Sequence, residues 1–250
     1  MSKHSSGMTV VCLGSGGFFP TETTQTACYM IPELGVVFDM GTGFPRVSQH
    51  LQTDRLDIFI SHAHNDHVGG VPYTQALLEV TRCKKCVIHG DQTAIDGIKG
   101  LLTPPYFPSS PQVEYEILKH ENHLPNGAII YSFPLVHRGP CNGFRLYYNR
   151  YTVTYVTDTT TTPDSLYLLD VQGSNLLLHE CYCSKDTVEL AQKCGHSDPD
   201  NLIEFCKAAN VHRLVTIHHS PFQNPEEIAN YIQEKLPETI YAKDNLVIHV

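Results

Sequence analysis

A short segment after an apolar run carries four side chains that can bind a metal ion. The run Leu56–Ile60 is followed by Ser-His-Ala-His-Asn-Asp-His, in which the potential ligands are His62, His64, Asp66 and His67. Imidazoles and a carboxylate without any cysteine favour Zn²⁺, with Mn²⁺ or Fe²⁺ as substitutes. A loop of solvated histidines is the structural alternative, but such a loop does not explain this density of ligands.

The spacing within this segment predicts two metal positions. Alternate residues of a strand point to the same face, so we expect His62 and His64 to lie together. A turn that begins at Asn65 would bring Asp66 and His67 toward a second point close by. The segment therefore predicts a centre for two metal ions.

The elements that must position this segment are short and mixed in type. No repeat or low-complexity tract interrupts the chain, and β-branched runs alternate with helix-like segments. This pattern is typical of one α/β layered domain over residues 1–250. The predicted strands are Thr9–Leu13, Thr26–Ile31, Val36–Phe38, Ile58–Ser61, Lys85–His89, Ile129–Leu135, Phe144–Tyr148, Thr152–Thr157, Leu176–His179 and Leu214–His218. The predicted helices are Gly70–Val80, Asp91–Leu102, Ser184–Lys193, Asp198–Ala209 and Pro225–Lys235, the last capped by Asn224.

Composition and charge exclude several classes of protein. Of the 250 residues, 41% are hydrophobic and 17% charged, which rules out disorder as the main state. The longest apolar runs are strand-sized, whereas a membrane helix needs about 20 residues. The polar segment Met1–Met8 lacks the apolar core of a secretory signal, so we expect a cytoplasmic protein without a membrane partner. The net charge of −9 is the wrong sign for a protein that grips long nucleic acid through its general field.

The cysteines do not indicate a disulfide framework. Nine cysteines at irregular spacing, in a chain large enough to bury its own core, fit a reducing compartment. Cys83 and Cys86 have the spacing of a zinc knuckle or redox pair, but no second pair of this kind exists. Cys181, Cys183 and Cys194 could bind a metal or sense redox state, although buried free thiols are the commoner case. The roles of both groups stay open.

The segment His62-Ala-His64-Asn-Asp66-His67 resembles the HxHxDH signature of the metallo-β-lactamase superfamily. This resemblance implies a four-layer αβ/βα sandwich, with two sheets face to face, helices outside and the site at one edge. It also implies further metal ligands after later strands. These are His137, Asp158 and His218.

The resemblance also implies how these ligands are shared between two zinc ions. His62, His64 and His137 would hold one ion, and Asp66, His67 and His218 the other, with Asp158 bridging the two. His219 is the alternative to His218. The family pattern of histidine, any residue and serine, which residues 218–220 match, and the alternation of side chains along a strand favour His218.

Within the superfamily, the chain looks most like the ribonuclease Z branch of phosphodiesterases. The segments that carry this resemblance are Leu13–Gly17 with Pro20, Phe38–Gly41, Leu178–Cys181, Gly195–Asp198 and residues 236–244. It implies that Glu180 holds His196 beside the metals, and that this imidazolium stabilises or protonates the departing oxygen. Together with the ligand Asp66, these two are the expected catalytic residues. The structural alternative is that Glu180 pairs locally and His196 only precedes the helix at Asp198.

The chain lacks two sequence features by which proteins of the ribonuclease Z branch bind tRNA. Proteins of that branch project a basic arm that clamps tRNA, but residues 87–137 contain no insertion with a basic end. Their opening loop also carries basic residues after its proline, whereas here Pro20 precedes Thr-Glu-Thr-Thr-Gln. The expected substrate is therefore a small phosphodiester or a short single-stranded nucleic acid, and not tRNA.

The predicted function is metal-dependent phosphodiester hydrolysis. A thioester, lactone or other acyl-ester hydrolase on the same metals is the alternative enzyme, which Glu180 and His196 argue against. A metal-binding scaffold without turnover is the non-enzymatic alternative, and an iron-dependent redox enzyme is a further one. The sequence does not define the oligomeric state, so a homodimer stays open.

Overall fold

The computed structural model describes residues 7–108 and 111–250. Strands within these residues are β1 (Thr9–Gly14), β2 (Cys28–Ile31), β3 (Val36–Phe38), β4 (Arg55–Phe59), β5 (Lys85–Gly90), β6 (Glu114–Ile117), β7 (Glu121–His123), β8 (Ile129–Pro134), β9 (Asn142–Tyr148), β10 (Tyr151–Val156), β11 (Leu176–Glu180), β12 (Leu214–Ile217), β13 (Ile240–Tyr241) and β14 (Val247–His249). Helices are α1 (Val47–His50), α2 (Asn65–Val68), α3 (Thr74–Val80), α4 (Gln92–Leu101), α5 (Leu168–Val171), α6 (Val188–Cys194), α7 (Pro199–Ala208) and α8 (Pro225–Gln233).

The described strands form two sheets of seven strands each. Their orders are β14-β1-β2-β3-β4-β5-β6 and β13-β12-β11-β10-β9-β8-β7. In each sheet, one half is antiparallel and the other half parallel. The register places Leu178 between Tyr155 and Val215 in the parallel half of the second sheet. Parallel neighbours bring their carboxyl ends to the same edge, which is where ligands bind in open α/β sheets.

The two sheets pack face to face because alternate residues of their strands are apolar on the inner side. In β3, Phe38 lies in the core between the sheets, while Val37 faces the outer layer. The ring of Phe38 stacks on Tyr155 at 5.4 Å and on Phe144 at 5.7 Å, both from the opposite sheet. Stacked aromatic rings of this size bury much apolar area and fix the separation of the sheets.

Helices cover the outer face of each sheet. Ala94 and Ile98 of α4 pack on the first sheet, and Leu202 and Phe205 of α7 with Ile232 of α8 pack on the second. The arrangement is helix, sheet, sheet, helix, so the predicted four-layer αβ/βα sandwich is confirmed.

Side-chain caps begin the three longest helices. Asp91, Asp198 and Asn224 each accept a hydrogen bond from a backbone N–H in the first turn of α4, α7 and α8. Asp198 accepts two such bonds, and proline follows it at the first helical position, where its missing N–H costs nothing. The predicted cap at Asn224 is confirmed.

Each predicted strand and helix is present, but four strands, the three short helices α1, α2 and α5, and several boundaries differ from the prediction. The strands β6, β7, β13 and β14 were not predicted, because they are two to four residues long and lie at or next to the edges of the sheets. The predicted helix Gly70–Val80 is a 3₁₀ turn at Val71–Tyr73 followed by α3. The predicted helix Ser184–Lys193 likewise begins with a 3₁₀ turn. Within the predicted loop Thr103–Pro111, Ser109 and Ser110 lie outside the described residues.

The described residues contain neither a membrane-spanning helix nor a disulfide bond. No helix there is both long enough and apolar enough to cross a membrane. All nine cysteines are free thiols. Cys83 donates to the carbonyl of Lys85, and Cys86 is buried in the first sheet. Within the described residues, neither belongs to a group of three potential metal ligands.

Candidate metal centre

Strands of both sheets deliver the predicted site residues to one edge. The segment 62–67 follows β4 of the first sheet, with Asp66 and His67 in the short helix α2. From the second sheet, Asp158 follows β10, Glu180 ends β11 and His218 follows β12. His137 follows β8. The structure brings all the predicted ligands together.

An outer group consists of His62, His64, His137 and Asp158, whose potential ligand atoms all lie within 4.8 Å of one another. His64 Nδ1 lies 3.0 Å from His62 Nε2 and 3.4 Å from His137 Nε2. Asp158 Oδ2 lies 3.9 Å from His62 Nε2 and 3.6 Å from His137 Nε2. His64 is exposed and His137 half-buried, so this group opens to solvent.

An inner group consists of Asp66, His67, Asp158 and His218, all of them buried. Asp66 Oδ2 lies 3.3 Å from His67 Nε2 and 3.1 Å from His218 Nε2. Asp158 Oδ1 lies 3.2 and 3.1 Å from the same two nitrogens. Ligand atoms around one ion at 2.0–2.2 Å are about 3–4 Å apart, so both groups have the spacing of a metal site.

Asp158 belongs to both groups through different oxygens. Its Oδ2 faces the nitrogens of the outer group and its Oδ1 those of the inner group. A carboxylate oriented in this way can bridge two ions. Thr157 Oγ1 donates to Oδ1 over 2.9 Å and helps to fix the carboxylate.

The protonation states of the ligands also fit a metal. Burial lowers the pKa of His62 and of His137, which favours the neutral imidazoles that metals bind. Burial raises the pKa of Asp158, but His218 and His67 outweigh burial and hold it well below the usual range. Burial lowers the pKa of His67, but Asp66, Asp158 and Asp39 together raise it well above its ordinary value. The inner group therefore favours positive charge, as a cation site should.

The buried ring nitrogen Nε2 of His67 tests whether the site residues suit a metal ion. His67 Nε2 is buried and has no hydrogen-bond partner, although it faces the oxygens of Asp66 and Asp158. The other ring nitrogen, Nδ1, donates to Asp39 Oδ2 over 2.7 Å. This hydrogen bond keeps the proton on Nδ1, so a cation that displaces the proton on Nε2 would be bound through Nε2. The residues present therefore fit divalent metal ions.

Two other ligands are oriented in the same manner. His137 Nδ1 donates to the carbonyl of Gly195 over 3.0 Å, which leaves Nε2 for the outer group. Gly195 has φ +78° and lies against His137, so a side chain there would be both strained and crowded. His62 Nδ1 lies 3.0 Å from Ser61 Oγ, which leaves its Nε2 for the same group.

The structure separates His218 from its neighbour His219. His218 has φ +54° and turns its ring into the inner group immediately after β12 ends. His219 points away, against Tyr241 with ring centroids 4.8 Å apart. Burial lowers the pKa of His219 to about 3, so this residue is a neutral packing histidine. The preference for His218 agrees with the geometry, although the left-handed backbone, and not simple strand alternation, orients it.

Glu180 and His196 form a pair at the edge of the inner group. His196 Nδ1 donates to Glu180 Oε1 over 3.2 Å. The buried Glu180 carboxylate also accepts the backbone N–H groups of Thr159, Ser197 and Tyr182. Burial lowers the pKa of His196, but Glu180 outweighs burial and raises it to about 8. Glu180 therefore binds both His196 and the backbone of three loops around it.

Sequence reasoning did not give a role to two residues that complete the site. Asp39, fully buried with φ +60°, accepts hydrogen bonds from Ser61, His67 and Tyr155. Tyr182 stacks on His196 with ring centroids 4.3 Å apart. The sequence signals for Asp39 were its position after β3, at the same sheet edge as the metal motif, and its place in the segment Phe38–Gly41 that resembles the ribonuclease Z branch.

Comparisons with known proteins agree with this fold. Residues 36–219 match the family model of the β-lactamase superfamily domain. A ribonuclease Z of Synechococcus sp. (strain CC9902) is 24% identical over 315 aligned positions, which cover 97% of this chain and 98% of that protein. The alignment is longer than this chain, so the Synechococcus protein carries insertions that this chain lacks.

Two solved structures are similar over almost the whole chain. The metallo-β-lactamase fold protein YhfI of Bacillus subtilis has a TM-score of 0.81 at 18% identity and covers 98% of this chain and 100% of its own. A diphosphatase of the PhnP family has a TM-score of 0.78 at 18% identity, covering 98% and 97%. The fold and the clustered histidines and aspartates define a metal-dependent hydrolase of the metallo-β-lactamase fold. The chain belongs to the β-lactamase superfamily.

Proposed function

We propose that this protein hydrolyses small or short single-stranded phosphodiesters, with two divalent ions bound by the outer and inner groups. The observation that carries this proposal is the Glu180–His196 pair, which lies beside His218 of the inner group. A phosphodiester has a poor alkoxide leaving group and needs a proton donor at this position. The ribonuclease Z relative and the diphosphatase neighbour support phosphate-ester chemistry.

Zinc is the proposed metal. Five imidazoles and two carboxylates without thiolates suit Zn²⁺, and the same donors also accept Mn²⁺ or Fe²⁺. Bound divalent ions would supply an acidified water as nucleophile and would polarise a phosphoryl oxygen. Asp66, His67 and His218 would hold one ion, His62, His64 and His137 the other, and Asp158 would hold both.

In this proposal, His196 provides the proton for the departing oxygen. Its Nδ1–H is directed to Glu180, so Nε2 is the atom free to face the substrate. The raised pKa of His196 favours the protonated imidazolium that this role requires. When the P–O bond breaks, Nε2 would donate its proton to the leaving alkoxide, and Glu180 would hold the ring in place. Tyr182, stacked on the ring, limits its rotation.

The experiment that tests this function combines metal analysis with a substrate panel. The purified protein is reconstituted with Zn²⁺ or Mn²⁺, and the ions bound per chain are counted by elemental analysis. Hydrolysis is measured with bis(p-nitrophenyl) phosphate, cyclic nucleotides and short oligonucleotides, and with a thioester and a lactone as controls. We expect two ions per chain and turnover of diesters. One ion at most, or turnover restricted to the acyl substrates, would refute the proposal.

A further inference from the structure

Three exposed phenylalanines lie together at the mouth of the candidate centre. Phe18, Phe19 and Phe222 are 49%, 58% and 79% exposed. The ring of Phe18 lies 6.3 Å from Phe19, 6.0 Å from Phe222 and 6.5 Å from Tyr182. We call Phe18, Phe222 and Tyr182 the aromatic platform. Exposed apolar side chains that are grouped, and not scattered, indicate a binding surface.

The aromatic platform is continuous with the site residues. Tyr182 stacks on His196 with an interplanar angle of 17°, and its ring lies 5.9 Å from that of His218. The rings of His196 and His218 are 5.5 Å apart. An unbroken series of ring contacts therefore leads from the inner group to Phe222. A substituent that extends from the inner group toward Tyr182 would therefore meet these rings.

The loop that carries Phe18 is fixed at both ends. Asp244 accepts hydrogen bonds from the backbone N–H of Ser15, over 3.0 Å, and of Gln25, over 2.8 Å. Within the loop, the N–H of Gly17 donates to the carbonyl of His219 over 2.8 Å. A side chain at residue 17 would approach Tyr182 and the backbone of His219 at 3.1 Å. This anchoring presents Phe18 in a preset position, which lowers the entropic cost of binding.

Charge identifies the kind of group that this surface can hold. Residues 14–25 contain one acidic residue, Glu22, and no lysine or arginine, so the loop cannot bind a phosphate backbone by its charge. Aromatic side chains instead bind bases by stacking, which tolerates any base because each has a π-face. Phe18 and Phe222 are largely exposed, so their rings are available for such contacts, whereas one face of Tyr182 is covered by His196.

We propose that the aromatic platform of Phe18, Phe222 and Tyr182 binds a nucleobase on one side of the scissile diester and so makes nucleotidyl diesters the preferred substrates. The predicted substrate preference rests on the proposed phosphodiesterase function, whereas the binding of a nucleobase to the platform does not. The platform lies next to His196, the proposed proton donor, so the stacked base belongs to the departing half of the substrate. An acyl chain or a lipid surface would bind equally well to aliphatic side chains, so a cluster made of aromatic rings favours a nucleobase as the ligand.

A binding experiment without turnover tests the platform directly. The sequence contains no tryptophan, so Phe222→Trp places the only tryptophan in the platform, where it can be excited selectively over the tyrosines. We expect adenosine 5′-monophosphate to quench its fluorescence with saturation, while ribose 5-phosphate does not. Leu169→Trp is the control, because Leu169 is 74% exposed on α5 and has no ring contact with the platform. Equal quenching in both variants, or none in Phe222→Trp, would overturn the proposal.

The same variant distinguishes a lipid surface. Phosphatidylcholine vesicles should leave the emission of Phe222→Trp unchanged. A blue shift with vesicles and no response to the nucleotide would assign the surface to a membrane and refute base stacking.

Kinetics then link the platform to substrate choice. The substrates are adenylyl-(3′,5′)-adenosine and two analogues, each lacking one base. In Phe222→Ala, the ratio of kcat/KM for the dinucleotide to that for the analogue without the departing base should fall roughly 5- to 150-fold, the range expected for one lost stacking contact. Phe222→Trp should restore this ratio, and Phe222→Leu should not. Restoration by leucine, or an unchanged ratio in Phe222→Ala, would refute stacking.

Failure of the proposed function is distinguishable from failure of this inference. If the wild-type protein cleaves no diester but the nucleotide still quenches Phe222→Trp, the phosphodiesterase proposal is wrong and the platform stands. If diesters are cleaved without any dependence on the base, the platform is wrong and the phosphodiesterase proposal stands.

Discussion

His67 Nδ1 lies 2.7 Å from Asp39 Oδ2, and both side chains are completely buried. Asp39 follows β3 and His67 lies in α2 after β4, so the pair joins two neighbouring strand ends of the first sheet. The same Asp39 oxygen also accepts from Ser61 and Tyr155, each over 2.7 Å. Asp39 thus aims the ring of His67 and connects it to Tyr155 of the opposite sheet.

This relationship predicts that Asp39→Asn weakens metal binding without removing a ligand. An amide can donate to His67 Nδ1 and stabilise the wrong tautomer, so the inner group should lose about 10- to 100-fold in metal affinity. Competition with a chromophoric chelator measures this change. The matched control is Asp57→Asn, because Asp57 is a buried carboxylate bound to a histidine, His89, elsewhere in the first sheet. Equal loss of metal affinity in both variants would contradict the prediction.

The adjacent histidines 218 and 219 provide a second prediction. His218→Ala should leave about one metal ion per chain, because His218 belongs to the inner group and not to the outer group. His219→Ala should keep two ions, since His219 packs against Tyr241. Elemental analysis after reconstitution compares the two proteins, and circular dichroism checks that both are folded. Loss of metal in His219→Ala with retention in His218→Ala would reverse the ligand assignment.

Much of this site was predictable because its ligands are close in sequence or follow apolar strands. The segment from His62 to His67 is recognisable because it contains four potential metal ligands within six residues. The later ligands were predicted from the resemblance to the metallo-β-lactamase superfamily. Asp39 carried too little signal, since one aspartate after a strand is common. Its role depends on Tyr155, 116 residues away, which no local pattern reveals. The edge strands β6 and β7 escaped prediction for a related reason, because exposed edges need no regular apolar alternation.

The third prediction concerns the role of His196. His196→Ala should lower kcat for a dinucleotide roughly 10²- to 10⁴-fold, the range for a lost general acid. With a p-nitrophenyl ester the loss should be much smaller, because p-nitrophenolate leaves without a proton. Metal content should stay at the wild-type value, whereas Asp66→Ala should lose both metal and activity. Full activity of His196→Ala on the dinucleotide would exclude the acid role.

The pH dependence gives a fourth prediction. Because the Glu180 carboxylate raises the pKa of His196 to about 8, the protonated acid is present below that pH and is lost above it. Activity on a dinucleotide should therefore fall on the alkaline side. Glu180→Gln removes the negative charge, so the alkaline limb should move to lower pH. The p-nitrophenyl ester serves as the control, since its profile should lack this limb. An unshifted limb in Glu180→Gln would show that Glu180 does not tune His196.

The last prediction is that precursor tRNA is a poor substrate. The net charge is −9, the loop after Pro20 carries Glu22, and residues 87–137 contain no insertion with a basic end. Few counterions would be released from a folded RNA, so neither affinity nor its salt dependence should be large.

The measurement compares kcat/KM for precursor tRNA and for a dinucleotide at the same salt concentration, because affinities for RNA can be compared only at one ionic strength. We expect the dinucleotide to react better. Glu22→Lys reverses the charge of the loop and should improve the reaction with precursor tRNA more than that with the dinucleotide, and the gain should shrink as salt is raised. Glu22→Gln, which only removes the negative charge, should give a smaller gain. Efficient cleavage of precursor tRNA at one site by the isolated wild-type chain would show that binding does not require a basic arm.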